Sequence, residues 1–239
     1  MKKTKLGINI DHFATIRNKR NTKYPNLLKA ALIAEKNGAN NITIHLRKDK
    51  RHIKDKDLKI LENNTKSKIN LKISIKKKMI NIAYKIKPYS CYLVPEKREE
   101  LTTENSLNVK KQEKKIFKII KKLKKNKIKV ALFIDPDIEQ INASIIANTK
   151  IIEINTGSYS DEKNKITKKK KLQNIINAAK YATNKGLIVH AGHELNYNNV
   201  KKIASIKEIK KLNIGHAIIN KLMFIGFKKA IQKIKKLIK

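Results

Sequence analysis

Residues 25–46 read PNLLKAALIAEKNGANNITIHL, and this stretch contains the unit from which the fold follows. Pro25 stands near the start of a run with apolar residues at helical spacing, and the run stops at Gly38. A proline near the first turn and a glycine after the last one predict a helix. A short β-rich run follows, from Asn41 to Leu46. A helix that leads into a short apolar strand is the repeating unit of a parallel sheet with crossover helices.

The same alternation of short β-rich runs and longer amphipathic stretches continues along the chain. Eight runs can be counted: Leu6 to Ile10, Asn41 to Leu46, Ile69 to Ile75, Cys91 to Pro95, Lys129 to Asp135, Lys150 to Asn155, Leu187 to Ala191, and Leu212 to Gly215. Eight βα units in 239 residues predict a single-domain α/β protein, a (β/α)8 TIM barrel with short extra helices, spanning residues 1–239. A terminal helix is predicted from about Ala217 to Ile238 to close the structure.

The formal net charge of +39 raises the question of a polyanionic partner. Lysines occur on nearly every predicted helix instead of forming one stripe with interleaved aromatic residues, which argues against specific nucleic-acid binding. Weak, salt-sensitive binding to polyanions is still expected. A structural protein that uses this charge to bind polyanions remains a competing hypothesis, which sequence-selective affinity at high salt would support.

The single cysteine, Cys91, cannot form an intramolecular disulfide and is most simply a small core residue. The basic residues at the start of the chain are followed by an apolar stretch too short for a signal core. No segment approaches the roughly 20 apolar residues that span a bilayer. We therefore expect a cytoplasmic protein without a membrane partner.

Histidines cluster where the predicted strands end. Five of the six fall at or just beyond a strand end, and the sixth, His52, lies in the loop after the second strand. These five are His12, His45, His190, His193 and His216. Barrel active sites lie at the carboxyl ends of the strands, so this clustering predicts an active site there.

Strand periodicity places further polar residues on the inner face of the barrel, because alternate residues of a strand share a face. The residues predicted to line the mouth are Asn9, Asp11, Thr43, His45, Arg47, Asn70, Lys72, Ser74, Glu153, Asn155, His190 and Gly192. Their neighbours of opposite parity are mostly Ile, Leu and Val, which suits packing against the outer helices.

Two strand endings indicate a phosphate site. Gly192-His193 follows the seventh strand and Gly215-His216 follows the eighth. In this fold the loops after these two strands often bind phosphate, and glycine lets backbone amides approach an anion. The chain contains no Walker A loop, no Gly-x-Gly-x-x-Gly fingerprint and no cysteine-based zinc spacing. The sequence therefore predicts a phosphorylated substrate.

Five groups of residues, spread from the first strand to the last, form specific sequence blocks. They are Gly7-Ile8-Asn9-Ile10-Asp11-His12 with Thr15, Arg17-Asn18 and Arg20; Ile42-Thr43-Ile44-His45-Leu46-Arg47 with Arg51-His52-Ile53; Leu93-Val94-Pro95-Glu96-Lys97-Arg98 with Leu101-Thr102-Thr103-Glu104; Phe133-Ile134-Asp135; and Leu212-Asn213-Ile214-Gly215-His216-Ala217-Ile218. These blocks resemble the pyridoxine 5'-phosphate synthase family, and the resemblance extends over essentially the whole chain.

The resemblance implies that 1-deoxy-D-xylulose 5-phosphate condenses with 3-amino-2-oxopropyl phosphate, closing a pyridine ring and releasing phosphate and water, with no redox cofactor or metal. Carried over position by position, the xylulose phosphate would be held by Asp11, His12, Arg47, His52 and Thr102. The amino-ketone phosphate would be held by Asn9, Arg20, Gly215 and His216. His45 and His193 would transfer protons, and Glu153 would stabilise charge in the transition state. The family also implies a homo-octamer built from dimers.

One position departs from the family at the centre of the site. The family places a catalytic glutamate in the third strand after Asn-Leu, whereas here Asn70-Leu71 is followed by Lys72. Lys72 could pair with Glu153 across the barrel and impair catalysis, leaving a barrel that only binds phosphorylated ligands. Alternatively, a depressed pKa could make Lys72 a base, or another carboxylate could compensate. Glu194, where the family has glycine beside the phosphate site, would repel substrate unless it turns outward.

Plainer roles stay open for other residues of the site. Arg20 could pair with a helix end, and His52 could fix its loop. Asp11 could orient neighbouring side chains without touching substrate, and Arg47 could pair with Asp49 or Asp55.

Overall fold

The computed structural model describes residues 4–96 and 106–239, and within them eight parallel strands form one closed barrel. The strands are β1 Lys5–Asn9, β2 Asn41–His45, β3 Lys68–Ser74, β4 Ser90–Val94, β5 Lys129–Ile134, β6 Ile151–Asn155, β7 Ile188–Gly192 and β8 Ile209–Ile214. Each strand pairs with the next along the chain, and β8 closes the barrel against β1, where Lys211 lies opposite Lys5. The predicted (β/α)8 barrel is confirmed.

Helices surround the barrel between successive strands. Those described are α1 Asp11–Lys19, α2 Leu27–Lys36, α3 Asp55–Asn64, α4 Lys77–Ile86, α5 Glu113–Lys125, α6 Ile138–Ile146, α7 Gly157–Ser160, α8 Lys165–Asn184, α9 Val200–Ala204, α10 His216–Ile225 and α11 Phe227–Leu237. None of these helices is long and apolar enough to cross a membrane.

The predicted continuous terminal helix is wrong, because α10 ends at Ile225 and α11 starts at Phe227. Gly226 separates them with φ +77° and ψ 155°, a backbone conformation that is almost confined to glycine. The break turns the chain, and the ring of Phe227 packs edge to face against Phe13 at 5.1 Å between centroids.

The apolar core lies between the outer face of the barrel and the helices. Outward-facing strand residues such as Ile8, Ile44 and Leu71 are fully buried. In α5, Ile116, Ile120 and Leu123 form one buried stripe, while the lysines of the opposite face are exposed.

The inside of the barrel is polar. Asn70 Nδ2 donates to Thr43 Oγ1 across 3.4 Å, and the Asn70 side-chain oxygen accepts a short hydrogen bond from Ser90 Oγ. Tyr92 Oη and His190 Nδ1 are 2.7 Å apart. Buried polar groups need hydrogen-bond partners, and these pairs supply them within the barrel.

Candidate active site

Lys72 and Glu153 form an ion pair inside the barrel. Lys72 Nζ lies 3.1 Å from Glu153 Oε1, and the exposed fractions of the two side chains are 15% and 0%. The pairing anticipated as one reading of Lys72 is therefore present. Since β3 and β6 are not neighbours, the contact crosses the barrel and fixes both side chains over its axis.

Gly192 and Phe133 lie next to this ion pair. Gly192 lies beside Glu153, and a Cβ atom there would overlap Glu153 Oε1 and come within 2.9 Å of the Asn213 carbonyl oxygen. Phe133 lies opposite Glu153 in the register of β5 and β6, and Lys72 Nζ sits 5.1 Å from the centre of its ring. The Glu153 Oε2 atom is buried and has no hydrogen-bond partner among the described residues. The pair thus offers a bound cation and a free carboxylate oxygen.

His193 enters the site on an unusual backbone. Its φ of +89° and that of Glu194, +52°, are uncommon for residues other than glycine. Thr156 Oγ1 holds this turn by donating to the carbonyl oxygens of His193 at 2.6 Å and Gly192 at 3.0 Å. Such over-determined strain is typical of functional sites.

The His193 imidazole is available for proton transfer. Both ring nitrogens are buried without a hydrogen-bond partner among the described residues, and the ring meets Phe133 edge to face at 6.2 Å. Burial lowers the pKa of His193, and the opposing effect of Glu194 is smaller. The ring is therefore neutral at neutral pH and can accept a proton.

Asp11, the first residue of α1, faces the end of β2. Its Oδ1 accepts a hydrogen bond from the His45 backbone N–H at 2.8 Å, and its own N–H donates to Asn9 Oδ1 at 3.0 Å. Burial raises the pKa of Asp11 to about 7, although these hydrogen bonds and the charges of Lys72 and Arg47 oppose the shift. Asp11 is thus a carboxyl group that exchanges its proton near neutral pH.

Two further imidazoles lie close to Asp11 and Arg47 and are held neutral. His45 lies opposite Lys72 in the register of β2 and β3, and burial, Arg47 and Lys72 keep its pKa well below the ordinary value. Burial, Arg47 and His12 lower the pKa of His52 to about 4. Neutral imidazoles can donate and accept hydrogen bonds to a sugar phosphate.

The loop after β2 is fastened to α1. His52 Nδ1 lies 2.7 Å from Thr15 Oγ1, and the His52 carbonyl oxygen accepts a hydrogen bond from Asn18 Nδ2 at 2.6 Å.

The Arg47 residue just beyond the end of β2 is buried, with an exposed fraction of 2%. Asp49 pairs with Arg51, and Asp55 pairs with Lys50. Against the opposing effect of burial, the hydrogen bonds from Arg51 and the nearby charges of Arg51 and Arg47 lower the pKa of Asp49.

The starts of α1 and α10 meet at the mouth. The rings of His12 and His216 are 5.4 Å apart between centroids, and a Cβ atom on Gly215 would lie 2.9 Å from Asn9 Cβ. Burial lowers the pKa of His12. The ten-residue helix α10 begins directly after Gly215, and the start of a helix is suited to binding an anion.

Over residues 6–239 the chain matches the family described as pyridoxal phosphate biosynthesis protein PdxJ. The chain belongs to this family. It is 50% identical over 226 residues to pyridoxine 5'-phosphate synthase of Aliivibrio fischeri, covering 95% of this chain and 93% of that one. It is 49% identical over 233 residues to the enzyme of the same name from Blochmanniella pennsylvanica, covering 98% and 96%.

Solved structures with little sequence identity share the barrel. The chain superimposes on KGPDC from Streptococcus mutans with a TM-score of 0.67 at 11% identity, covering 99% of this chain and 97% of that one. For phosphoribosylanthranilate isomerase from Thermotoga maritima, the TM-score is 0.62 at 11% identity, with 98% of each chain covered. These similarities show the fold alone.

Not every residue predicted from the PdxJ resemblance lies in this cluster. Arg20 is the exposed residue after α1, about 13 Å along the helix axis from Asp11, given 1.5 Å per helical residue. Thr102 lies outside the described residues. Glu194 is 36% exposed, with Oε1 3.8 Å from His193 Nε2, so its carboxylate is at the rim next to the imidazole.

The sequence predicts His190 at the mouth, and the structure corrects this placement. His190 lies one inward position below Gly192 on β7, bonds to Tyr92, and faces a cavity at the opposite end of the barrel. Sequence reasoning also misses the bond from the His45 amide to Asp11 and the position of Phe133 under Lys72. Neither contact corresponds to a sequence motif, because each depends on barrel closure.

Within the described residues, no group of three or more His, Cys, Asp or Glu side chains could hold a metal ion.

Proposed function

We propose that this chain is a pyridoxine 5'-phosphate synthase that condenses 1-deoxy-D-xylulose 5-phosphate with 3-amino-2-oxopropyl phosphate. The family match carries the proposal. It runs from residue 6 to residue 239 and therefore covers every strand that contributes to the polar mouth, except that it omits the first residue of β1. The products are pyridoxine 5'-phosphate, inorganic phosphate and water.

His193 and Asp11 are proposed to move protons. Imine formation, dehydration and phosphate elimination each need a proton removed at one atom and delivered to another. His193 is neutral and has unpartnered ring nitrogens among the described residues, so it can take up the first proton. Asp11, with a pKa of about 7, can hold or release a proton in the same pH range. It is the carboxyl group that we propose compensates for the glutamate replaced by Lys72.

The Lys72–Glu153 pair is proposed to stabilise charge without accepting a proton. An ammonium group fixed by a buried carboxylate is placed to neutralise an enolate or a departing phosphate, and a fixed charge in a water-poor site is effective at this. Glu153 Oε2 would accept a hydrogen bond from a substrate hydroxyl or amine. His45 would serve as a neutral donor or acceptor beside them.

The substrate-binding roles are proposed from the family resemblance. Asp11, His12, Arg47, His52 and Thr102 would bind the xylulose phosphate. For the amino-ketone phosphate we propose Asn9, Arg20, Gly215 and His216.

We also propose that the protein is a cytoplasmic homo-octamer, as the family resemblance implies. Sedimentation velocity at physiological salt tests the assembly. A monomer under those conditions would refute it.

The activity is tested by following pyridoxine 5'-phosphate formation from the two substrates. The natural protein should form product, and His193→Gln should lose at least about 100-fold in kcat, the usual worth of a positioned acid or base. Lys180→Met, which alters an exposed lysine of α8, is the matched surface control and should retain the natural rate. No product from any of the proteins would refute the proposed function.

A further inference from the structure

The amino-terminal end of the barrel, opposite the candidate active site, opens into a cavity. Its volume is about 1620 Å³, and twelve of the residues that line it are lysines. Among the described lining residues the one carboxylate side chain is that of Glu35. Glu35 Oε2 already accepts hydrogen bonds from the backbone N–H groups of Lys66 at 3.1 Å and Ser67 at 2.9 Å.

Three of these lysines are the first residues of alternate strands. Lys5 begins β1, Lys68 begins β3 and Lys129 begins β5, each in the inward parity of its strand. In a (β/α)8 barrel, alternate strands contribute the side chains of one layer, usually bulky apolar residues. Here that layer carries three positive charges towards the barrel axis. Lysine enrichment of the surface does not account for charges at inward positions.

Tyr89 brings two of the charges together. The ammonium groups of Lys68 and Lys129 each lie 4.6 Å from the centre of its ring, and Lys129 Nζ donates to Tyr89 Oη at 2.8 Å. None of the ion pairs found in residues 4–96 and 106–239 involves Lys5, Lys68 or Lys129.

A fourth lysine lies deeper, on the floor of the cavity. Lys211 is 5% exposed, and its Nζ lies 5.2 Å from the centre of the Tyr92 ring. No carboxylate of the described residues is within ion-pair distance of it. Burial lowers the pKa of Lys211 to about 8, Glu153 opposes the shift, and Lys5, Lys72 and Lys129 add to it.

A buried ammonium group beside like charges is costly unless an anion neutralises it. We propose that this amino-terminal cavity is a binding site for a small anion with two or more phosphate charges, such as a diphosphate or a bisphosphorylated metabolite. Lys68 and Lys129 contact it beside Tyr89, with Lys5 at the rim and Lys211 below. The site is separate from the candidate active site, since Lys68 and Lys72 are about 13 Å apart along β3 at 3.3 Å per residue.

The site is tested by isothermal titration with inorganic pyrophosphate at physiological salt. Four proteins are compared: the natural chain, Lys68→Met/Lys129→Met, Lys211→Met, and Lys180→Met as a control on the exposed face of α8. Methionine keeps most of the side-chain volume and removes the charge. The carboxyl-end site is unaltered in all four proteins, so a loss of binding that is confined to the cavity variants is assigned to the cavity. Circular dichroism confirms that each variant is folded, and Lys68→Met/Lys129→Met still tests the proposal if Lys211→Met does not fold.

We expect one component of pyrophosphate binding to lose at least tenfold in affinity in Lys68→Met/Lys129→Met and in Lys211→Met. The affinity of Lys180→Met should stay within twofold of that of the natural protein. Equal isotherms for all folded proteins would overturn the proposal. An equal loss in Lys180→Met would also overturn it, because the binding would then come from diffuse surface charge.

Discussion

Lys72 and Glu153 carry opposite charges at a place where neither is fully hydrated, so each charge depends on the other for compensation. Removing one partner of a buried pair leaves an uncompensated charge, whereas replacing both with apolar residues of similar size is often close to neutral. We expect Lys72→Met to lose about 3 kcal/mol of unfolding free energy, and Lys72→Met/Glu153→Met to regain most of it.

Urea denaturation of the natural protein, both single variants and the double variant provides the coupling energy. Lys180→Met, on the exposed face of α8, controls for the loss of a lysine. A coupling energy near zero would mean that the two charges do not depend on each other for stability.

Asp11 makes the stability of the protein depend on pH in a defined direction. Its pKa is about 7 in the folded protein, against 3.8 for an unperturbed aspartate, so the folded state binds its proton more tightly. Protonation of Asp11 therefore adds to the unfolding free energy, and this contribution is complete below about pH 4 and is lost as the pH rises through 7. Over that range it amounts to roughly 4 kcal/mol.

Asp11→Asn retains an oxygen that can accept the His45 N–H but cannot ionise. The natural protein should therefore lose more unfolding free energy than Asp11→Asn between pH 4 and pH 8, as measured by urea denaturation at each pH. Parallel pH profiles of the two proteins would show that Asp11 is not a buried carboxyl with a raised pKa.

At the scale of elements, seven strands can be predicted from the sequence with boundaries within one residue, because each is a short apolar run between clear turn signals. For β8 the sequence predicts a start at Leu212, three residues after its actual start at Ile209. Lys210 and Lys211 interrupt the apolar run, and only barrel closure shows that Lys211 faces inward.

The terminal segment is predicted as one helix because its apolar spacing continues on both sides of Gly226. Periodicity does not reveal a backbone angle, and a single glycine is tolerated within many helices at a cost of about 1 kcal/mol. The site is also predictable only in part. Polar residues at strand ends can be identified from the sequence, but the raised pKa of Asp11 and the partner of His190 depend on burial by distant segments.

The junction between α10 and α11 depends on the backbone of Gly226. A Cβ atom there would meet nothing within 4 Å, so a substitution is opposed by backbone strain alone. We expect Gly226→Ala to lower the unfolding free energy by about 1 to 3 kcal/mol, as measured by urea denaturation. Lys180→Ala, on an exposed helical surface, should change it by less than about 0.5 kcal/mol. Equal stability of the two variants would contradict a strained junction.

At the scale of the whole molecule, the net charge of +39 opposes compactness. Repulsion between exposed lysines is screened by salt, so the unfolding free energy should rise between about 0.02 M and about 0.5 M KCl. Urea midpoints at the two concentrations measure this effect. A lower midpoint at high salt would mean that attractive ion pairs outweigh the repulsion.

The most direct test of the proposed function compares the natural protein with Lys72→Glu in one assay of pyridoxine 5'-phosphate formation. We predict product from the natural protein, which would show that lysine at this position is compatible with ring closure. Product from Lys72→Glu alone would contradict that prediction and leave the natural chain as a barrel that binds substrate without turning it over. Product from neither protein would contradict the assignment as a synthase.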